Sequence, residues 1–149
     1  MILGQILAAW IYSHFFEYIA HKHFLHNHKK FKFAFKNHFA THHRNSKINE
    51  MYDEAYENVF SSKFEVISLG IISVLHLPIF FFFPYAYMTL VYSLFMYYIL
   101  HKKSHTDVEW GKKWLPWHYD HHMGKNQHLN WGVRLPLLDY IFGTRVKTS

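Results

Sequence analysis

From Val66 to Leu100 the chain runs through 35 positions without an Asp, Glu, Lys or Arg, and residues such as Ile71, Val74, Phe81, Val91 and Leu100 dominate the stretch. As one helix it is about 52 Å long against a hydrocarbon core of about 30 Å, and Pro78 and Pro84 break it near its middle. The pattern predicts a helical hairpin over 64–100 whose arms, at about 17 residues each, stand at the short end of what crosses a bilayer. A shallow hairpin in one leaflet and a buried helix pair of a soluble core are the alternatives, although such a pair seldom runs this long without a charge. The first residues, Met1 to Phe16, are free of acids and bases apart from His14 and predict a third apolar helix over 1–20. It lacks the basic start of a signal peptide and runs into polar motifs, so a retained anchor is expected.

Charge fixes an orientation. All 16 Lys and Arg lie outside these apolar segments; seven fall between Lys22 and Lys47 with no acid among them, and eight lie beyond His101 against four acids. Both blocks belong on the cytoplasmic side by the positive-inside rule, which accounts for the net charge of +6 without nucleic acid. The acidic stretch from Asn49 to Asn58 reads as an exposed helix or connector with no assigned role. The expected fold class is all-α, an integral membrane helical bundle with a histidine-rich helical cap facing the cytoplasm. It forms one domain over 1–149: apolar helix 1–20, histidine motifs 21–43, membrane hairpin 64–100, then histidine motifs and a closing stretch over 101–144. The absence of cysteine excludes disulfides, thiolate zinc sites, iron–sulfur clusters and thiol nucleophiles. Any metal is therefore held by nitrogen or oxygen.

Histidine is the outlier of the composition, with 15 copies, 14 of them outside the charge-free stretch. They group in repeating patterns: HKHFLH with His21, His23 and His26, and His28 just beyond; HFATHH with His38, His42 and His43; HKKSH with His101 and His105; HYDHH with His118, His121 and His122. On an α-helix, i,i+4 spacing puts His101 and His105 on one face, and i,i+3,i+4 spacing gathers His118, His121 and His122. The first group is angularly wider, so His21 and His26 suit two neighbouring ions. A lone histidine is ordinarily a surface or hydrogen-bonded residue, but four groups at the ends of three apolar helices are not explained that way. The first two groups precede the hairpin and the last two follow it, so they meet only if the intervening segment returns to the side it left. Ten candidates, His21, His26, His38, His42, His43, His101, His105, His118, His121 and His122, exceed the four of a closed zinc site and suggest two ions. Five imidazoles each leave one octahedral position open, which suits non-haem iron handling oxygen; zinc is a possible substitute.

These motifs, the hairpin between the second and third, and the ending WHYDHHMGKNQHLNWGVRLPLLDYIFGT together resemble the fatty acid hydroxylase superfamily, also called the sterol desaturase family. The resemblance covers nearly the whole chain. It implies a membrane-bound oxygenase in which the ten histidines bind two irons that activate O2 against an unactivated C–H bond of a lipid, a fatty acyl chain or sterol, giving hydroxylation or desaturation. Electrons must then come from an external donor of the cytochrome b5 or ferredoxin type, because the chain carries no haem or flavin module of its own. One departure stands out: three residues separate His38 from His42 where the family commonly has two. Glu17, three residues after His14 and four before His21, Asp120 and Asn130 are candidates for orienting ligands from behind, and His128 for that role or for the substrate pocket. Asp139 is a similar orienting or pairing residue, and His76 a packed or interfacial one. A carotenoid ring hydroxylase is the alternative enzyme; a non-catalytic metal-binding membrane protein or divalent cation carrier is the alternative of another class. A carrier would be expected to hold ionisable groups at bilayer depth, where only His14, Glu17 and His76 stand.

Overall fold

The computed structural model describes residues 1–147, and every regular element among them is helical. α1 (Ile2–Ala20) runs without a break into a π-helical turn, His21–Leu25. α2 (Lys32–Phe35) likewise continues into a second π-helical segment, Lys36–His43, and then α3 (Arg44–Ile48). A 3-10 turn at Glu54–Tyr56 leads to α4 (Lys63–Leu75), α5 (Pro78–Phe82) and α6 (Pro84–Thr106). The short helices α7 (Val108–Trp114), α8 (Pro116–Met123) and α9 (Leu137–Ile141) complete the chain.

The expected hairpin forms, with its reversal at Phe83. Pro78 and Pro84 each occupy the first position of a helix, where the missing N–H costs no bond, so the prolines start α5 and α6. Ser73 meets the Tyr87 hydroxyl and Ser62 meets that of Tyr98, each at 3.2 Å, which sets α4 and α6 antiparallel. The second arm is longer than sequence suggests, because α6 continues through Thr106 and carries His101 and His105 on its last turns, whereas α4 is 13 residues long and α5 completes the first arm. Only Lys63–Phe82 is, by length and composition, apolar enough among the described residues to cross a membrane, and none of that window is buried inside the protein. α1 and α6, expected to behave alike, carry polar residues that interrupt their apolar runs.

Burial is inverted relative to a water-soluble core. Among the described residues His21, His43, His101, His105, His118, His121 and His122 are at most 1% exposed. Large apolar residues of α1, α4, α5 and α6, among them Leu7, Ile11, Ile71, Phe81 and Phe95, stand outward. A buried apolar cluster of Tyr18, Trp131 and Leu138 ties α1 to the closing stretch beside the histidines.

Candidate metal centre

All ten expected histidines meet at one end of the helices, and the two π-helical segments explain how. In a π turn residue i lies beneath i+5 rather than i+4, which aligns His21 with His26 and His38 with His43 on single faces. His21 and His26 therefore serve one cluster, where α-helical spacing suggested two. The extra residue between His38 and His42 is absorbed the same way, and His38 falls among the others.

Two groups result. His21, His26, His38, His43 and His121 form the first; His42, His101, His105 and His122 form the second, and in each group every residue offers a ring nitrogen within 4.8 Å of the rest. His118 lies beside the second group, its Nε2 3.2 Å from that of His105. Adjacent His42 and His43 point into different groups, as do His121 and His122, so the HH pairs stitch the two together.

Behind five of the rings an acceptor decides which nitrogen faces inward. His21 Nδ1 lies 2.7 Å from the Trp131 carbonyl, His105 Nδ1 2.7 Å from that of Met51, and His121 Nδ1 2.6 Å from that of Leu129. His42 Nδ1 lies 2.8 Å from Asp53 Oδ2, and His101 Nδ1 2.9 Å from Glu65 Oε1. Carbonyls and carboxylates only accept, so each Nδ1 donates its proton and each Nε2 is left as a lone pair turned into the cluster. Tyr56 donates in turn to Glu65; burial, with the Glu65 carboxylate beside it, pushes its phenol up and keeps it protonated.

The inward nitrogens fit a cation better than they fit one another. His43 Nε2 lies 3.2 Å from His26 Nε2, 3.2 Å from His38 Nε2 and 3.1 Å from His121 Nε2, yet one ring nitrogen can offer at most one proton. A metal–imidazole bond of about 2.1 Å sets neighbouring donors about 3.0 Å apart at right angles and about 3.4 Å apart at the tetrahedral angle. The observed 2.9 to 3.2 Å lies nearer the former. In the second group His42, His101 and His122 Nε2 are buried without a hydrogen-bond partner, which is costly unless a cation takes the lone pairs. Burial lowers His21 to about 4 and, with the neighbouring imidazoles, holds His38, His42, His43, His118, His121 and His122 well below the usual histidine value. Neutral imidazole is the form that ligates.

The remaining candidates hold the scaffold. Glu17 does not touch His21: it accepts from the Val133 and Arg134 N–H groups and pairs with the Arg134 guanidinium, locking α1 to the closing stretch. Asp120 pairs with Arg145 at 2.8 Å. Asn130 adopts φ 60, tolerable for Asn, and its side chain holds Val146 and Arg145. Its two neighbours in sequence supply the carbonyls that hold His121 and His21. Asp139 clamps the Trp131 and Gly132 N–H groups at 2.7 and 2.8 Å and the Thr144 hydroxyl at 2.7 Å. His128 is exposed and stacks on Phe39, with its ring 5.3 Å from that of His26. His23 and His28 are exposed, and buried His14 packs edge-on to Trp10.

Three contributors escaped sequence reasoning. Asp53 lies in the acidic stretch given no role, and Glu65 stands one residue before the charge-free run. Met51 holds a strained φ of 86 while fully buried, which turns its carbonyl to His105. The usable signal was chemical: a ligand histidine ordinarily needs an acceptor behind it, and acids near a histidine group are the first place to look.

An apolar cavity of about 590 Å³ lies between α1, α4 and α6 and reaches His21, His38 and His42. That volume falls in the range of ligand-binding clefts.

Among the described residues the chain is all-helical, with two buried histidine clusters that could hold metal ions beside an apolar cavity. A model of the fatty acid hydroxylase family matches residues 6–144, and the chain belongs to that family. Its members are membrane-associated, iron-dependent oxidoreductases that use O2 on lipids. No curated protein and no solved structure matches the chain.

Proposed function

We propose that this protein is an integral membrane di-iron oxygenase that hydroxylates or desaturates an unactivated C–H bond of a fatty acyl chain or sterol. The observation that carries the proposal is the convergence of ten buried imidazoles, those of His21, His42, His101, His105 and His121 fixed from behind, at the inner end of an apolar cavity. His21, His26, His38, His43 and His121 hold one iron; His42, His101, His105 and His122, with His118 alongside, hold the other. When bound, the irons supply reductive activation of O2. The rest is done by the chain itself. Asp53, Glu65 and the Met51, Leu129 and Trp131 carbonyls fix the ligand tautomers, burial excludes water, and the faces of α1, α4 and α6 lay the lipid chain along the cavity.

The outward apolar faces of α1, α4, α5 and α6 support a bilayer setting, since an exposed apolar surface of this extent is not kept in water. The Lys/Arg blocks beside the histidine motifs support placing the clusters on the cytoplasmic side, where they also suit an acidic external electron donor. The first test is elemental analysis of detergent-purified wild type and of a His121→Ala, His122→Ala double variant. Each change removes a nitrogen from a different cluster, so about two equivalents of iron, or of substituted zinc, are expected in the wild type and a loss from both sites in the variant. Folded wild type without stoichiometric metal would refute the proposal.

A further inference from the structure

The cavity has a far end as well as a metal end. Its lining follows one face of each of three helices and ends with Tyr12 on α1, His76 where α4 ends, and Leu90 on α6. Measured along the helix axes from His21, Glu65 and His101, these residues lie about 14, 17 and 17 Å away at 1.5 Å per residue. Each helix therefore carries the lining about 14 to 17 Å from its metal end.

That end is joined by a hydrogen bond. His76 Nδ1 lies 2.8 Å from the Ile72 carbonyl, which only accepts, so Nδ1 carries the proton. The neutral ring then offers Nε2 to the Tyr12 hydroxyl, which donates across 3.0 Å. The rings of Tyr12 and Phe16 pack against His76 with centroids 5.8 and 5.5 Å away. His76 is the one histidine in the charge-free stretch, and this bond satisfies its second nitrogen within apolar surroundings, where an unmade bond is costly.

We infer that the Tyr12–His76 pair is a clasp across the far end of the cavity that limits how long a fatty acyl chain can be beyond the carbon it presents to the histidine clusters. The inference rests on the oxygenase reading above and makes it more specific: the occupant is an extended acyl chain, with its methyl end against the clasp. A depth of about 15 Å takes roughly a dozen extended carbons. A longer tail collides with the clasp before its reacting carbon reaches the metals.

The test is the chain-length profile of products. Cells expressing the full chain or its variants are fed a graded series of saturated fatty acids, and oxidised acyl products are measured by lipid mass spectrometry. For a chain two carbons beyond the wild-type limit, His76→Ala is expected to raise product relative to a fitting chain by about tenfold or more, because a site of fixed depth discriminates strongly at each methylene. His76→Phe keeps the bulk and is expected to keep the limit. Leu90→Ala, at the last lining residue of α6, is expected to relax it as His76→Ala does. Metal content is expected to match wild type in all three, since the clasp lies far from the clusters. An unchanged chain-length profile in both alanine variants would overturn the clasp while leaving the oxygenase intact. Metal-loaded wild type that oxidises no acyl chain would overturn the acyl occupant, and one that oxidises no sterol either would overturn the oxygenase reading itself.

Discussion

Two carboxylates stand behind ligands of the second histidine group, whereas the first group is backed where its partners are seen by backbone carbonyls. Asp53 holds His42 and Glu65 holds His101, both in the group that also contains His105 and His122. A carboxylate makes the imidazole it touches a stronger donor, and losing such a partner typically weakens metal binding by about 10- to 100-fold. Asp53→Asn and Glu65→Gln keep an acceptor oxygen in place but remove the charge. Each is expected to weaken one of two metal equivalents by that factor and to leave the other unchanged, in a titration of metal-stripped protein followed by elemental analysis. Combined, they are expected to fall short of the product of the single effects, because both act on one ion. Equal weakening of both equivalents would show that the carboxylates act through the fold as a whole. Neither residue stood out from sequence, because the burial of an acid is decided by a distant partner: Asp53 lies in a stretch that reads as exposed, and Glu65 carries no local signal, until α6 brings His105 and His101 against their segments.

The helical pieces that place the ligands were legible to different degrees. The hairpin follows from charge depletion and its prolines, and α6 and α8 carry histidines at ordinary α spacing, so these elements were open to sequence reasoning. The π turns were not. Locally an α turn satisfies the same backbone, and only the converging histidines favour the wider turn at 21–25 and 36–43. The closing stretch was recognisable by resemblance, while its physical purpose emerges only in three dimensions: Asn130 in a left-handed conformation aims the carbonyls flanking it, and Asp139 clamps the N–H groups that follow. Gly132 has no room for a side chain, since a Cβ there would lie 2.1 Å from the Leu135 carbonyl oxygen and 3.2 Å from Asp139 Oδ2. Gly132→Ala must therefore shift the 132–135 backbone and pull the Trp131 carbonyl from His21. It is expected to cost about 1–3 kcal/mol of stability and to lower metal content. Gly143→Ala serves as the comparison: its φ of +67 is strained for alanine, but the surrounding space is open. It is expected to cost about 1–2 kcal/mol while leaving metal content intact. Thermal melting paired with elemental analysis separates the two; equal metal loss in both would show that the closing stretch acts only through general stability.

At the scale of the whole molecule, the protein buries its polar groups and turns its apolar ones outward, so on the oxygenase reading metal becomes part of the fold. Without a cation, each buried imidazole must stay neutral against a low-dielectric surrounding and its own neighbours. His21 is lowered to about 4 from an ordinary 6.5, and His43, His121 and His122 are held well below that ordinary value. The sign follows from proton counting. Above pH 6.5 neither the folded nor the unfolded chain protonates these rings, and stability is at its full value. As pH falls below 6.5 the unfolded chain takes up protons that the folded chain refuses, so unfolding is favoured, down to about pH 4 for His21 and in the same direction for the others. Each such ring contributes up to about 1.4 kcal/mol per pH unit in that window, and several act together. Metal-stripped protein in detergent is therefore expected to lose thermal stability steeply between pH 7 and pH 5. The metal-loaded protein starts from a higher melting temperature, because the ion binds the folded state and not the unfolded one. It is expected to hold a plateau to lower pH and then fall more sharply, as protons compete for the same nitrogens. A metal-stripped protein whose melting temperature is flat over that range would mean that the imidazoles are not buried as neutral rings. The inverted interior would then not be what couples metal to folding.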